Sequence, residues 1–221
     1  MIGSFAFAAG ALLSFLPSLP SIVPGIIFFL GSLFFTTAAY LQYFESINTS
    51  PVPLTGKDRV VFITWEPRRI DWWITATQLI GTFFFNISTF NALRTHLSTI
   101  KIDKVVWSAD VFGSILFLVS SWLAYGEADT ALTGKRWNSL TWWIVLSNLL
   151  GSVAFGLSAL TSFVIPSTGE LINAVITNLT TFLGAVGFFV GALLQLREID
   201  IENAERNLEL QGETSVTTSS S

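Results

Sequence analysis

The chain has 221 residues, of which 51% are hydrophobic and 12% charged, with a mean hydropathy of +0.63. Soluble domains carry about 25% charged residues, so this balance excludes an ordinary soluble protein and points to a polytopic membrane protein. There is no cysteine and a single histidine, His96, which excludes disulfides, thiolate sites, a cysteine nucleophile and a multi-histidine metal centre within one chain. Lys and Arg are too few and too scattered for a nucleic-acid surface.

A membrane-crossing helix needs about 20 mostly apolar residues. Such stretches run from Met1 to Pro17, Ile22 to Phe44, Ile70 to Leu93, Val105 to Tyr125, Leu140 to Ile165 and Leu171 to Leu196. They lack the alternation of barrel strands, so helices are expected. The first is barely long enough, and no Lys or Arg precedes its apolar run as a signal peptide would require. It reads as a structural helix, cut short at its N-terminal end. PSLPS and PSTGE make short turns, whereas the link from Glu45 to Arg69 is long. Within it, Val60-Val61-Phe62-Ile63 is too short to span and is expected at the interface or as a strand. The expected organisation is therefore an all-α membrane protein of six transmembrane helices in three repeated hairpins. A shortened hairpin at 1–45, a cytoplasmic loop at 46–69 and a second hairpin at 70–126 come first. A loop at 127–139, a third hairpin at 140–197 and a polar tail at 198–221 follow, the tail helix-compatible to Gln211 and then of disordered composition.

Each stretch contains one nine-residue pattern: Gly, a small residue, two variable, Phe, two variable, two small. The copies begin at Gly3, Gly31, Gly81, Gly113, Gly151 and Gly184, and their fifth residues are Phe7, Phe35, Phe85, Phe117, Phe155 and Phe188. At 3.6 residues per turn, offsets 0, 4, 7 and 8 share a face. That face is expected to pack helices in lipid, where small residues allow close approach; the alternative is that six Phe converge and gate a pore. Two kinds of copy alternate. The third and fifth stretches match over DWWITATQLIGTFFFNIST and TWWIVLSNLLGSVAFGLSA, each preceded by LTGK. The even stretches place Glu45, Glu127 and Glu198 fourteen residues after the pattern glycine, either an acidic ring or three solvated helix ends. Repetition at this level marks a duplicated two-helix unit.

Lys57, Arg59, Arg68, Arg69, Lys135, Arg136, Arg197 and Arg206 lie at one end of the expected bundle, against Arg94, Lys101 and Lys104 at the other. The positive-inside bias places both termini in the cytoplasm of a multi-pass protein of the inner (plasma) membrane. Trp72, Trp73, Trp142 and Trp143 read as interfacial anchors at the cytoplasmic end, and Trp107 as one opposite. The cluster of Arg68, Arg69 and Asp71 suggests a lipid-headgroup contact. His96 reads as a solvated loop residue.

The candidate polar path consists of Gln78 and Asn148, each three residues before the pattern glycine, with Asn86 and Asp110. Amides at such positions usually hydrogen-bond between helices. Asp110 is the one acid well inside a span, a functional candidate by that placement, with Lys104 near enough in sequence to pair with it. No Ser-His-Asp set, phosphate loop or dinucleotide fingerprint occurs, and no cofactor is expected.

With GSxxF in both helices and Trp-Trp opening the first, the two-helix unit resembles the YrhK-like membrane domain. WWIVLSNLLGSVAFGLSALTSFVIPSTGE with TNLTTFLGAVGFFVGALLQL carries the likeness over Trp142 to Leu196. QLIGTFFFNISTF with VWSADVFGSILFLVSSWLA is similar, and the first hairpin less so. The resemblance implies a small bacterial inner-membrane protein and names no catalytic residue. The expectation is a non-enzymatic membrane protein whose role rests on helix packing, its partners being the bilayer and other membrane proteins or further copies of itself. The alternative is a small-solute or ion transporter or channel. A C-terminal tag is expected to be protected in intact cells and reached only after permeabilisation; accessibility from outside would invert the topology.

Overall fold

The computed structural model describes residues 1–49, 60–94, 98–131 and 139–219. Lys57, Arg59, His96, Lys135, Arg136 and both LTGK stretches lie outside the described residues. The apolar stretches fold as helices, separated where proline or turn residues interrupt them: α1 (Ile2–Leu13), α2 (Ile22–Asn48), α3 (Ile70–Ala92), α4 (Thr99–Ile102), α5 (Ser108–Ala131), α6 (Leu140–Thr161) and α7 (Ala174–Ser219). A π-helical turn, Asp103–Trp107, joins α4 to α5. Among the described residues there is no strand.

Among the described residues, four helical stretches are long and apolar enough to cross a membrane: Ile22–Asn48, Ile100–Thr130, Leu140–Thr161 and Ala174–Glu209. The six expected spans are not all matched by that criterion. α1 has 12 residues, about 18 Å at 1.5 Å per residue, against about 30 Å of hydrocarbon. α3 is long enough at 23 residues, but Gln78, Asn86, Asn91 and its threonines dilute its hydropathy. Several of those polar groups bond sideways. Gln78 Nε2 donates to Gln42 Oε1 at 2.8 Å, Asn86 Nδ2 to Thr36 Oγ1 at 2.8 Å, and Thr89 and Thr75 pair with Ser32 and Ser46, both at 2.9 Å. α3 is thus hydrogen-bonded along its length to α2.

The helices close a ring in chain order: α1 packs on α2, α2 on α3, α3 on α5, α5 on α6, α6 on α7, and α7 returns to α1. Three contacts in this ring share one construction. In each antiparallel pair the two pattern glycines meet, and each glycine receives the pattern Phe of its partner. A Cβ on Gly3 would lie 2.9 Å from the Gly31 carbonyl oxygen and 3.1 Å from the Phe35 ring, and one on Gly31 would lie 2.8 Å from Phe7. Gly81 and Gly113 meet the rings of Phe117 and Phe85, and Gly151 and Gly184 those of Phe188 and Phe155. The construction works because a glycine leaves room for the opposing backbone and a phenyl ring together.

The residue after each pattern glycine is buried in every helix: Ser4, Ser32, Thr82, Ser114, Ser152 and Ala185. It faces the neighbouring pair. Ser152 shares a 2.7 Å hydroxyl bond with Ser121 across α5 and α6, as Ser32 does with Thr89 across α2 and α3. The residue two after each glycine points outward, and Phe5, Leu33, Phe83, Ile115, Val153 and Val186 are all exposed. The bundle therefore has small hydroxyl residues and phenyl rings inside and large aliphatic and aromatic side chains outside. Water would penalise an exterior of this kind and hydrocarbon would not.

The segment before α3 is pinned at both edges. Asn48 Nδ2 donates to the Val61 carbonyl at 2.8 Å while Val61 N donates to Asn48 Oδ1 at 3.0 Å. Tyr43 Oη donates to the Thr64 carbonyl at 2.9 Å and accepts from Thr64 N at 3.2 Å. Side chains take the role of a partner strand here, so residues 60–63 are irregular chain, with Phe62 and Ile63 exposed. Between α6 and α7, Val164 and Leu171 form a single antiparallel bridge, and Gly169 turns the chain at φ +73°, a conformation that favours a residue without Cβ. α7 does not stop near Leu196 but continues as helix to Ser219, through the tail expected to lose structure after Gln211.

The interlock separates two classes of helical glycine. A Cβ at Gly81 would come within 2.7 Å of the Phe117 ring, whereas one at Gly156 meets nothing within 4 Å. Gly81→Ala is expected to destabilise by about 1–3 kcal/mol through overpacking, and Gly156→Ala to be neutral or to stabilise by up to about 1 kcal/mol through helix propensity. Thermal unfolding of both variants in one detergent checks this; equal midpoints would remove the interlock as a source of stability.

Candidate functional site

The six pattern phenylalanines meet on the bundle axis. Phe7, Phe85, Phe117, Phe155 and Phe188 form one buried cluster with Phe35 packed against it. Those of the even copies touch one another all round: Phe35–Phe117 at 6.3 Å, Phe35–Phe188 at 5.9 Å and Phe117–Phe188 at 5.6 Å between centroids. Among the odd copies, Phe155 reaches Phe7 at 5.7 Å and Phe85 at 5.9 Å. Within the helix pairs the separations are 5.3, 5.0 and 5.3 Å. All fall in the range where edge-to-face pairs attract. The result is a two-tier phenyl layer across the bundle.

A cavity ends on each side of this layer. Along α3, Gln78 lines one cavity and Ser88 the other, with Phe85 between them; along α7, Gln195 and Thr181 are divided by the Phe188 position in the same way. The inner cavity, at the end where α3 and α6 begin, has a volume of about 80 Å³ and brings together Gln42, Gln78, Asn148 and Gln195 against Phe35 and Phe188. Gln78 Oε1 also accepts from Ser120 Oγ at 3.4 Å. The outer cavity, of about 220 Å³, is lined by Phe7, Phe28, Phe85, Phe155, Trp107 and Asp110 among others. Asp110 Oδ2 accepts from Ser162 Oγ at 3.5 Å.

The four candidate path residues are therefore distributed rather than continuous. Gln78 and Asn148 share the inner cavity, Asp110 lies beyond the phenyl layer in the outer one, and Asn86 lies in neither. Asn86 sits at the α2–α3 contact, where it donates to Thr36, and its Oδ1 is buried without a hydrogen-bond partner. Two further amides complete the inner cavity. Gln42 and Gln195 both stand eleven residues after the pattern glycine of their helices, a spacing that was available in the sequence as a signal. The hydroxyl position after each glycine was likewise legible as an invariantly small residue, but the 0, 4, 7, 8 face did not include it.

Several expected surface roles change. Trp72 and Trp142 are each only 5% exposed, against 41% for Trp73 and Trp143. The first Trp of each pair is a core residue, and Trp72 Nε1 donates to the Thr64 carbonyl at 3.0 Å. Trp107 is no free anchor either: its Nε1 donates to the Ala159 carbonyl at 2.9 Å and its ring packs on Phe163. Lys104 forms no ion pair with Asp110 among the described residues, whereas Arg69 pairs with Glu66 and Asp71. Arg69 also donates to the Ser46 carbonyl at 2.8 Å, tying α3 to the end of α2; Arg68 is exposed. Glu198 accepts from Thr141, Glu127 borders a shallow groove with Ile70 and Trp122, and Glu45 is exposed. Among the described residues no three acidic or histidine side chains gather to hold a metal ion.

Electrostatically, the two cavities differ in kind. The inner one is lined by the carboxamides of Gln42, Gln78, Asn148 and Gln195 together with Met1, and no acidic side chain is among its described lining residues. The outer one offers one carboxylate in a wall of aromatic and aliphatic side chains and uncharged hydroxyls. No protein-family model matches the chain, and no curated protein and no solved structure is significantly similar to it.

Proposed function

We propose that the chain is a multi-pass protein of the inner (plasma) membrane whose six main helices are three hairpins of common descent, both termini facing the cytoplasm. Its role is structural or accessory: it packs in the bilayer, against other membrane proteins or further copies of itself, and carries out no reaction. The single observation behind this reading is the phenyl layer. Six rings in mutual contact fill the axis, so the packing that holds the bundle together also seals it. The apolar exterior supports the bilayer as the surrounding medium. The common descent of the hairpins is supported by the reciprocal Gly–Phe contact recurring in α1–α2, α3–α5 and α6–α7, and it accords with the likeness to the YrhK-like domain.

A second reading, a conduit for a small solute or ion, is favoured by one specific feature: cavities reach the phenyl layer from both ends, one carrying Gln78 and Asn148 and the other Asp110. In that reading the layer is a closed hydrophobic gate.

Flux of monovalent ions and small neutral solutes into proteoliposomes separates the two. The scaffold reading expects no flux above that of empty vesicles from the native protein, and none from Phe117→Ala, which would lose about 3–5 kcal/mol of stability as a large-to-small core change. Flux that rises in Phe117→Ala and falls when Gln78→Leu or Asn148→Leu is added would establish the conduit and overturn the scaffold.

A further inference from the structure

The outer cavity combines features that the packing role leaves unused. Asp110 enters it from the first turn of α5, directly after the π-helical turn Asp103–Trp107. A π turn is rare and tends to mark functional sites, because it re-aims the side chains that follow it. Among the described residues no basic side chain lines the cavity, and the hydroxyl of Ser162 donates to the carboxylate at a long 3.5 Å. A carboxylate in so apolar a wall is under-solvated and favours a positive counter-charge. Phe28, Phe85, Phe155 and Trp107 supply the aromatic part of the wall, and uncharged hydroxyl residues, among them Ser88, Thr89 and Ser158, the polar part. Aromatic faces attract cations, weakly hydrated quaternary ammonium groups above all.

The charge of the ligand follows from Asp110, and its kind follows from the walls. A divalent metal ion takes about six oxygen ligands, several of them usually carboxylate or carbonyl; here one carboxylate stands among aromatic rings and uncharged hydroxyls, and among the described residues no three acidic or histidine side chains gather. An alkali ion would lose its hydration shell and find no ring of carbonyls to replace it. An organic cation arrives with little hydration to lose and gains contact with the rings. Size sets a further limit. The cavity's volume of about 220 Å³ equals the liquid volume of about seven waters and falls below the roughly 300 Å³ at which pockets for drug-sized ligands begin.

We propose that the outer cavity is a binding site for small organic cations, quaternary ammonium or alkylammonium, with Asp110 as counter-ion and the aromatic wall as the apolar cage. The site rests on the outer cavity invoked in the conduit reading, but not on conduction. Binding is measured at equilibrium in detergent, so absent flux would end the conduit alone, and absent binding would end this site alone.

The probe is tetraethylammonium chloride, titrated into the purified full-length protein by calorimetry, with sodium chloride at equal ionic strength as the comparison. Native protein and Gly156→Ala should show saturable heat with tetraethylammonium and none with sodium. Asp110→Asn should weaken binding about tenfold or more, the scale of losing a charged partner, while Asp110→Glu retains most of it. If Asp110→Asn does not yield folded protein, Phe28→Leu decides: it keeps the charge, removes one ring, and should weaken binding at least about threefold. Absence of saturable binding to native protein, undiminished binding to a folded Asp110→Asn, or, in its place, undiminished binding to Phe28→Leu would overturn the proposal.

Discussion

The structure depends on one steric exchange: a glycine on one helix gives up its side-chain volume so that the partner's backbone and phenyl ring can occupy it. In lipid there is no hydrophobic drive between helices, so association rests on close packing and interhelical hydrogen bonds. Glycine against glycine brings the backbones near, and Phe from each side fills the groove the glycine leaves. Because the exchange is reciprocal, each antiparallel pair is locked in register at two points, four residues apart on each helix. A slip by one residue would place a Cβ where a ring must go. The same locking directs the rings inward, so the central layer follows from how the pairs form.

Between pairs a different device operates. Once glycine and Phe are committed to the partner within a pair, the next residue faces the neighbouring pair, and there the chain uses small hydroxyls. Ser32 with Thr89 and Ser121 with Ser152 are such contacts. Each is worth about 0.6 kcal/mol on measured averages, less than the steric interlock. At the same position of α7 stands Ala185, fully buried but without a hydroxyl, so the α7–α1 contact relies on close packing at that point.

Much of this was legible in the sequence, because it is written in residue types that recur. The six glycines and six Phe were visible, and their spacing placed them on one face. What the spacing could not give was which glycine meets which, since any two helices with such stripes could pair. The ring order of helices decides that. The amides show the opposite limit. Gln78 and Asn148 stood out because their positions correspond, and they do share a cavity. Asn86 stood out for polarity alone, which does not say on which side of a phenyl layer a residue lies; Asp110 shares the offset of three residues before its glycine, Gly113, but its helix runs antiparallel to α3, so the same offset falls on the other side of the layer. Trp-Trp misled for a related reason: two adjacent residues on a helix point about 100° apart, so one of each pair had to face inward. The hydropathy of α3 is the remaining case. Its polar side chains made it less apolar than its neighbours, and only the structure shows Gln78, Asn86, Thr75 and Thr89 spent on α2.

The two kinds of contact also decide where such a bundle could deform. Eight ring contacts hold the phenyl layer, three inside helix pairs and five between them. Contacts inside a pair cannot yield without a glycine interlock yielding too, and a clash of backbone against ring rises steeply with displacement. Contacts between pairs are ring edges and hydroxyls, individually worth about 0.5–1.5 kcal/mol and exchangeable with alternative partners of the same kind nearby. Ser152 already illustrates this, since its hydroxyl reaches both Ser121 and the Phe117 carbonyl. Any motion that joined the two cavities would therefore move whole pairs against one another and leave each pair intact. That motion would draw Phe35, Phe117 and Phe188 apart first, because those three belong to three different pairs and touch only across the compliant seams.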